Sequence, residues 1–229
     1  QLLHGTTEQT MLARGYSALA HQQWADGKSE AAFATLQQGE LWLTQMQIVA
    51  PAAHAWLAAQ RVRFHLWQND LSAALHWEQE THPVGETLLS YLQQLMRTRI
   101  RLAQSVGEPQ ASFLPEATDI LAPLLTTAEV KGWGSHVIEI LMLQALIEQA
   151  QGKRAAAQTT LTRALTLAEP EGYLRLFVDE GEPMRLMIDA CRLQILDARQ
   201  RTYLDKLLSA FAETSIASET SVADKSSQP

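Results

Sequence analysis

The sequence predicts an all-α chain of about four stacked helix hairpins. Three observations carry that prediction. Apolar residues recur at three- and four-residue steps through almost everything before Pro170, in segments rich in Ala, Leu, Gln, Glu and Arg with few β-branched runs. Short turns built on Gly or Asn interrupt the pattern at Gly27, Asn69, Gly107 and Gly152, the residue types most at ease with positive φ. The surroundings of each turn then repeat in register. They read Gly27-Lys28-Ser29-Glu30-Ala31-Ala32, Asn69-Asp70-Leu71-Ser72-Ala73-Ala74, Gly107-Glu108-Pro109-Gln110-Ala111-Ser112 and Gly152-Lys153-Arg154-Ala155-Ala156-Ala157.

Ala stands four positions after each turn with a small residue behind it, and seven positions before it stand Ala20, Val62, Ile100 and Ala145. Small side chains at a helix crossing let two backbones approach, while larger apolar neighbours fill the flanking grooves. One hairpin cannot bury both of its faces, so hairpins must stack.

The elements follow in order. Leu12, Tyr16, Leu19 and Trp24 share a first helix; Ala31, Phe33, Leu36, Leu41 and Leu43 share the next. Pro51 is placed to start the helix carrying Trp56, Val62 and Leu66. His82-Pro83-Val84-Gly85 separates the second unit from the third. Lys131-Gly132-Trp133-Gly134-Ser135 separates the third from the fourth, with Ser135 expected to cap the helix through Ile147. Pro115 falls early enough in its helix to be tolerated, whereas Pro123 predicts a kink or break. Beyond Pro170 the run Leu174 to Val178 reads as extended, Asp179 to Pro183 as a turn with helix restarting at Pro183, and Met184–Cys191 and Leu196–Phe211 as closing helices. From Thr214 the chain is polar and without periodicity. The expected organisation is therefore a repeat array over 1–170, a closing segment with two helices over 171–213, and a disordered linker over 214–229.

Composition narrows the function classes. The net charge of −7 argues against wrapping nucleic acid by bulk attraction to phosphate. A single cysteine, Cys191, gives no disulfide framework. Apolar runs are too short to span a bilayer, and no signal-peptide pattern opens the chain, so a cytoplasmic location with no membrane contact is expected. The absence of an initiator Met points to a piece of something longer.

The hairpin pattern resembles the tetratricopeptide-like repeat, and so implies an α-α superhelix, although the units are longer than the usual ones and lack their full signature. A second resemblance is sharper. The stretch Glu171-Gly172-Tyr173-Leu174-Arg175-Leu176-Phe177-Val178-Asp179-Glu180-Gly181-Glu182-Pro183-Met184 resembles a segment of the MalT-like, large ATP-dependent LuxR-family transcription regulators. Its signature residues here are Arg175, Phe177, Asp179, Glu180, Gly181 and Pro183. The resemblance implies a non-catalytic signal-sensing region that binds a small-molecule inducer, such as an oligosaccharide, or a regulatory protein. It implies no cofactor in this portion, ATP on an upstream domain, and DNA contact only through a C-terminal helix-turn-helix. No Gly-x-x-x-x-Gly-Lys-Ser/Thr loop occurs in the sequence. A generic protein-binding repeat scaffold is the alternative.

Candidate contact residues come from two groups. Arg61, Arg63, Arg97, Arg99 and Arg101 recur one helical turn or less apart on the first helices of consecutive units; they either line a groove for an anionic partner or form a solvated face. Among six tryptophans, Trp56 and Trp133 are the candidates for a ligand wall, with packing as the alternative role for Trp in helices. The seven histidines (His4, His21, His54, His65, His76, His82, His136) show no metal-ligand spacing. Asp179, Glu180 and Glu182 read as turn formers and partners for a helix N-terminus rather than as catalytic carboxylates. No nucleophile arrangement is visible, so no enzyme is expected.

Overall fold

The computed structural model describes residues 2–46, 50–81, 88–108, 112–192 and 197–225. Among them the backbone forms helices and no strand: α1 (Leu2–Ala25), α2 (Ser29–Gln45), α3 (Pro51–Trp67), α4 (Leu71–Glu80), α5 (Leu88–Gly107), α6 (Phe113–Val130), α7 (Gly134–Ala150), α8 (Arg154–Ala168), α9 (Arg175–Val178), α10 (Gly181–Arg192) and α11 (Ala198–Lys225). The fold class is all-α, built of tetratricopeptide-like hairpins. Two compact units divide the chain, Gln1–Gln104 with Ala217–Pro229 and Ser105–Ile216.

The turns carry the periodicity. Gly27, Asn69 and Gly152 all have positive φ, as does Gly132 between α6 and α7. At Gly27 the glycine N–H donates to the Trp24 carbonyl and the Lys28 N–H to the Gln23 carbonyl. The same pair of bonds recurs at Asn69–Asp70, Gly132–Trp133, Gly152–Lys153 and Gly172–Tyr173. Each is a Schellman closure, in which a left-handed residue lets two backbone N–H groups satisfy carbonyls that the helix end leaves open. The crossing positions also hold: Ala20, Val62, Ile100 and Ala145 are buried. After the turn the buried small residue is the fifth one, at Ala32, Ala74 and Ala157, while Ala31 and Ala156 are exposed.

In the first unit α1 packs on α2 and α3, and α3 packs on α2 and α4. Ala13, Ala20, Leu36, Leu43, Ala53, Leu57 and Phe64 form the centre of its core. Phe64 and Trp24 stack there, and Phe33 meets both edge-on. In the second unit α7 packs on α6 and α8, and α10 on α8 and α9. Helix α7 is buried nearly all round, with Val137, Ile138, Ile140, Leu141, Met142, Leu143, Ala145, Leu146 and Ile147 in the core, the mark of a central helix.

Several expectations need correction. Gly107 is the last residue of α5 and does not take positive φ; a helix ending two residues before a proline needs no left-handed closure. Ser135 lies inside α7, and Trp133 holds the cap position without a side-chain bond. Helix α6 is not broken at Pro123 but runs through it. Pro123 and Asp119, the residue whose carbonyl loses a donor, are both exposed, so the freed carbonyl lies open to solvent rather than buried and unpaired. Residues 175–178 are one helical turn, not extended. Phe177 and Val178 are consecutive and both buried, which strand alternation would forbid on a one-sided core. Helix α10 starts at Gly181, two residues before Pro183.

Helix α11 continues to Lys225, through most of the stretch read as a linker; no Gly or Pro occurs between Ala198 and Lys225 to stop it. His82-Pro83-Val84-Gly85, Pro109-Gln110-Ala111, Leu196 and 226–229 lie outside the described residues, as does the His4 side chain.

Candidate functional site

In the first unit α3 brings Trp56, Arg61 and Arg63 into place and α5 brings Arg97 and Arg101. Arg61 donates through Nη2 to Glu40 Oε2 of α2 at 2.7 Å. The Arg63 guanidinium lies 5.2 Å above the Trp67 ring, and that of Arg14 lies 5.2 Å above Trp56. Arg101 grips Glu78 of α4 with two bonds, at 2.8 and 2.9 Å. Arg97 lies beside the same carboxylate and donates to the Thr81 carbonyl at 2.6 Å. Glu78 is nearly buried, at 12% side-chain exposure, so the cluster is a charge-assisted tie between α4 and α5. Arg61, Arg97 and Arg101 thus reach glutamates of the helix before their own, whereas Arg63 lies over a ring of its own helix.

That tie frames a cavity. Its volume is about 320 Å³, and it is lined by Pro51, His54 and the alanines 55, 58 and 59 of α3, by Trp77 and Thr81 at the end of α4, and by Leu89 and Gln93 of α5. Glu78 stands next to Trp77 in sequence and Arg97 one turn beyond Gln93. The arginine cluster therefore sets the spacing of two cavity walls. Nothing local in the sequence marks Gln93 as a wall residue, and Trp77 stands there only as one of six tryptophans, outside the pair expected to form a ligand wall.

Trp133 belongs to the second unit. It lies at the start of α7 with the Lys131 ammonium 4.9 Å from its ring centre and the His136 ring beside it. A cavity of about 750 Å³ opens nearby, lined among others by Glu129, Ser135, Ile138, Arg163 and Tyr173, with Arg163 donating to Glu129 across it.

The signature residues of the second unit hold its closing helices. Asp179, with a side chain only 3% exposed, takes Arg175 one turn earlier at 2.5 Å, and Arg175 also reaches Thr214 Oγ1 at 3.3 Å. Phe177 is fully buried. The Glu180 N–H closes the turn on the Phe177 carbonyl, and Gly181 has positive φ. Pro183 sits in the first turn of α10, where its missing N–H costs nothing. Glu182 and Arg185 pair through two bonds, and that hydrogen bonding holds the Glu182 carboxyl below its usual pKa. Tyr203 of α11 donates to the Tyr173 carbonyl; burial pushes its phenol pKa up, with Glu169 adding to the effect. Cys191 is buried, which likewise raises its thiol pKa. Among the described residues no three His, Cys, Asp or Glu side chains are placed to hold a metal ion.

These features define a helical-hairpin repeat region closed by a short non-repeat segment. The family described as the MalT-like TPR region matches residues 1–194, and the chain belongs to that family. It is similar to proteins named HTH-type transcriptional regulator MalT in Klebsiella pneumoniae strain 342, in Klebsiella pneumoniae subsp. pneumoniae and in Cronobacter sakazakii. Each is 31% identical over 134 residues, which cover 56% of this chain and 14% of the relative.

Proposed function

We propose that this chain is the signal-receiving region of a MalT-like, LuxR-family ATP-dependent transcription regulator. Its role is to bind a small-molecule inducer or a regulatory protein. The reading is supported above all by the family match over 1–194. In such a regulator, ATP and DNA are engaged by other portions, the DNA by a helix-turn-helix, and the work is done in the cytoplasm. No catalytic role is assigned to this region. Among the described residues no helix is long and apolar enough to cross a membrane.

The physical basis is the hairpin stack. Neighbouring hairpins share walls, so a molecule seated between them alters the packing of both and shifts whatever equilibrium the array has. The cavity between α3, α4 and α5 lies within the size range of small-molecule sites. Arg61, Arg63, Arg97, Arg101 and Trp56 act in this reading mainly by fixing the helices that form the walls, and Trp133 does so at the start of α7.

A thermal-shift panel of metabolites tests the proposal. An inducer present at about a hundred times its Kd adds about 2.7 kcal/mol of stability. If no metabolite raises the transition while a partner protein co-purifies, the region is a protein-binding scaffold instead.

A further inference from the structure

The cavity of the first unit restricts the chemistry of what it can hold, and this inference rests on the reading of the chain as an effector-binding region. None of its described lining residues is Asp, Glu, Lys or Arg. The nearest guanidinium, that of Arg97, is already engaged by Glu78 and the Thr81 carbonyl, so the described walls offer a charged ligand no free counter-charge and charged effectors are disfavoured. Ala55, Ala58 and Ala59 give a shallow apolar floor, Pro51 and Leu89 extend it, and Trp77 supplies an aromatic wall. Such a slot suits a flat apolar body.

Polar groups are few. His54 is exposed, and Thr81 and Gln93 are half-buried. Gln93 Oε1 is buried and has no hydrogen-bond partner in the protein. Turned toward the cavity, which breaks no bond at that oxygen, the amide would accept from a donor brought in from outside. The volume of about 320 Å³ is at the small end for ligand sites. An oligosaccharide would carry many hydroxyls into a lining that offers few partners for them.

We infer that this cavity takes a small, neutral, planar aromatic molecule with one N–H or O–H donor directed at Gln93. Indole is a suitable probe, and benzofuran matches its shape with an oxygen in place of the N–H.

The experiment titrates the whole chain by calorimetry with indole, benzofuran and a glucose trisaccharide. It uses the natural sequence, Gln93→Leu and Ala58→Phe, each checked for its folding transition by circular dichroism. Indole is expected to bind saturably and at least about fivefold more tightly than benzofuran, a difference on the scale of one hydrogen bond. Gln93→Leu is expected to erase that preference, and Ala58→Phe to abolish binding of both. Should Ala58→Phe not fold, Ala55→Leu blocks the same floor.

Equal binding of indole and benzofuran, or no saturable indole binding, overturns the inference. Trisaccharide binding that Ala58→Phe abolishes overturns the ligand class but leaves the cavity as an effector site. Binding of any probe that Ala58→Phe leaves intact overturns the cavity, and the sensing role then stands on another site.

Discussion

The indole of Trp24, at the end of α1, lies flat on the ring of Phe64 in α3, with centroids 4.5 Å apart and planes 12° from parallel. Two turn-proximal aromatics from successive hairpins are thereby in direct contact. Trp67, just before the second turn, meets both rings. The stack therefore joins one repeat to the next at the same end of each hairpin, where the chain reverses.

Truncating this stack should loosen the first unit as a whole. Phe64 is fully buried, so Phe64→Ala is expected to cost about 3–5 kcal/mol, the usual loss when a core aromatic becomes a methyl. Trp24→Phe keeps a stacking ring and should cost roughly 1 kcal/mol. Urea midpoints followed by near-UV circular dichroism measure both. A Phe64→Ala midpoint close to that of the natural sequence would show that the rings do not link the hairpins.

Glu78 offers a test of how the arginines are used. Glu78→Ala leaves Arg97 and Arg101 facing each other without their carboxylate, at 26% and 20% side-chain exposure. The expected loss is about 2–3 kcal/mol, less than for a fully buried pair because both guanidiniums still touch water. Replacing all three residues by Met removes the mismatch along with the pair, so that variant should be more stable than Glu78→Ala. The opposite order in urea midpoints would mean that stranded guanidiniums are not what makes Glu78→Ala costly.

The features legible in the sequence are those that depend on near neighbours. A left-handed Gly or Asn after a helix, and small or apolar residues at fixed offsets from it, are local requirements. Gly27, Asn69 and Gly152 with Ala20, Val62 and Ala145 were accordingly found. Ion-pair partners were not, because Glu40 and Glu78 lie 21 and 23 residues from Arg61 and Arg101. The helical turn at Arg175 was hidden because an apolar run of that length fits a strand equally well, and only the surrounding core decides. Gln93 was hidden, and Trp77 not set apart from the other tryptophans, for the same reason, since a cavity belongs to three helices and to no segment.

Asp70 gives the chain an acid-sensitive helix cap. Its carboxylate accepts from the Ser72 hydroxyl and the Ala73 N–H, with His65 beside it, and its pKa is lowered from the ordinary 3.8. A folded-state pKa below the unfolded one means stabilisation that is complete above about pH 4 and lost as pH falls through the lowered value. Asp70→Asn keeps the cap but cannot titrate. The natural sequence should therefore be the more stable at about pH 6, with the gap closing at about pH 3. A gap that stays constant between those conditions would remove Asp70 from the acid response.

Tyr203 works at the other end of the scale. Its folded pKa is raised above the ordinary 10.0, so the phenol stays protonated in the folded chain where the unfolded chain would ionise it. Its contribution is fully present below about pH 10 and declines as pH rises further. Tyr203→Phe loses the bond to the Tyr173 carbonyl, about 1 kcal/mol at neutral pH, and should also flatten the alkaline decline. Chemical denaturation on both sides of about pH 10 reads both effects, and an unchanged alkaline slope would exclude Tyr203 as its source.

Two helical glycines should respond in opposite directions to the same substitution. Gly39 is buried in α2, and a Cβ there would stand 3.0 Å from the Tyr16 Cγ and 3.2 Å from a Leu57 methyl. The methyl can move, but Cγ is close to the α1 backbone and cannot swing aside. Gly15 in α1 is exposed, and a Cβ there would meet nothing within 4 Å. Relieving the backbone freedom of glycine in a helix gains about 1 kcal/mol at either position. Gly15→Ala should keep that gain. At Gly39 the overlap with the ring should outweigh it, so Gly39→Ala is expected to lose about 1 kcal/mol net and Gly39→Val about 3. Combining Gly39→Ala with Tyr16→Ala separates the causes. If the ring is what resists, the two changes are less harmful together than their separate costs imply, which a double-mutant cycle of urea midpoints detects. Strict additivity would mean that the Tyr16 ring is not what excludes a side chain at 39.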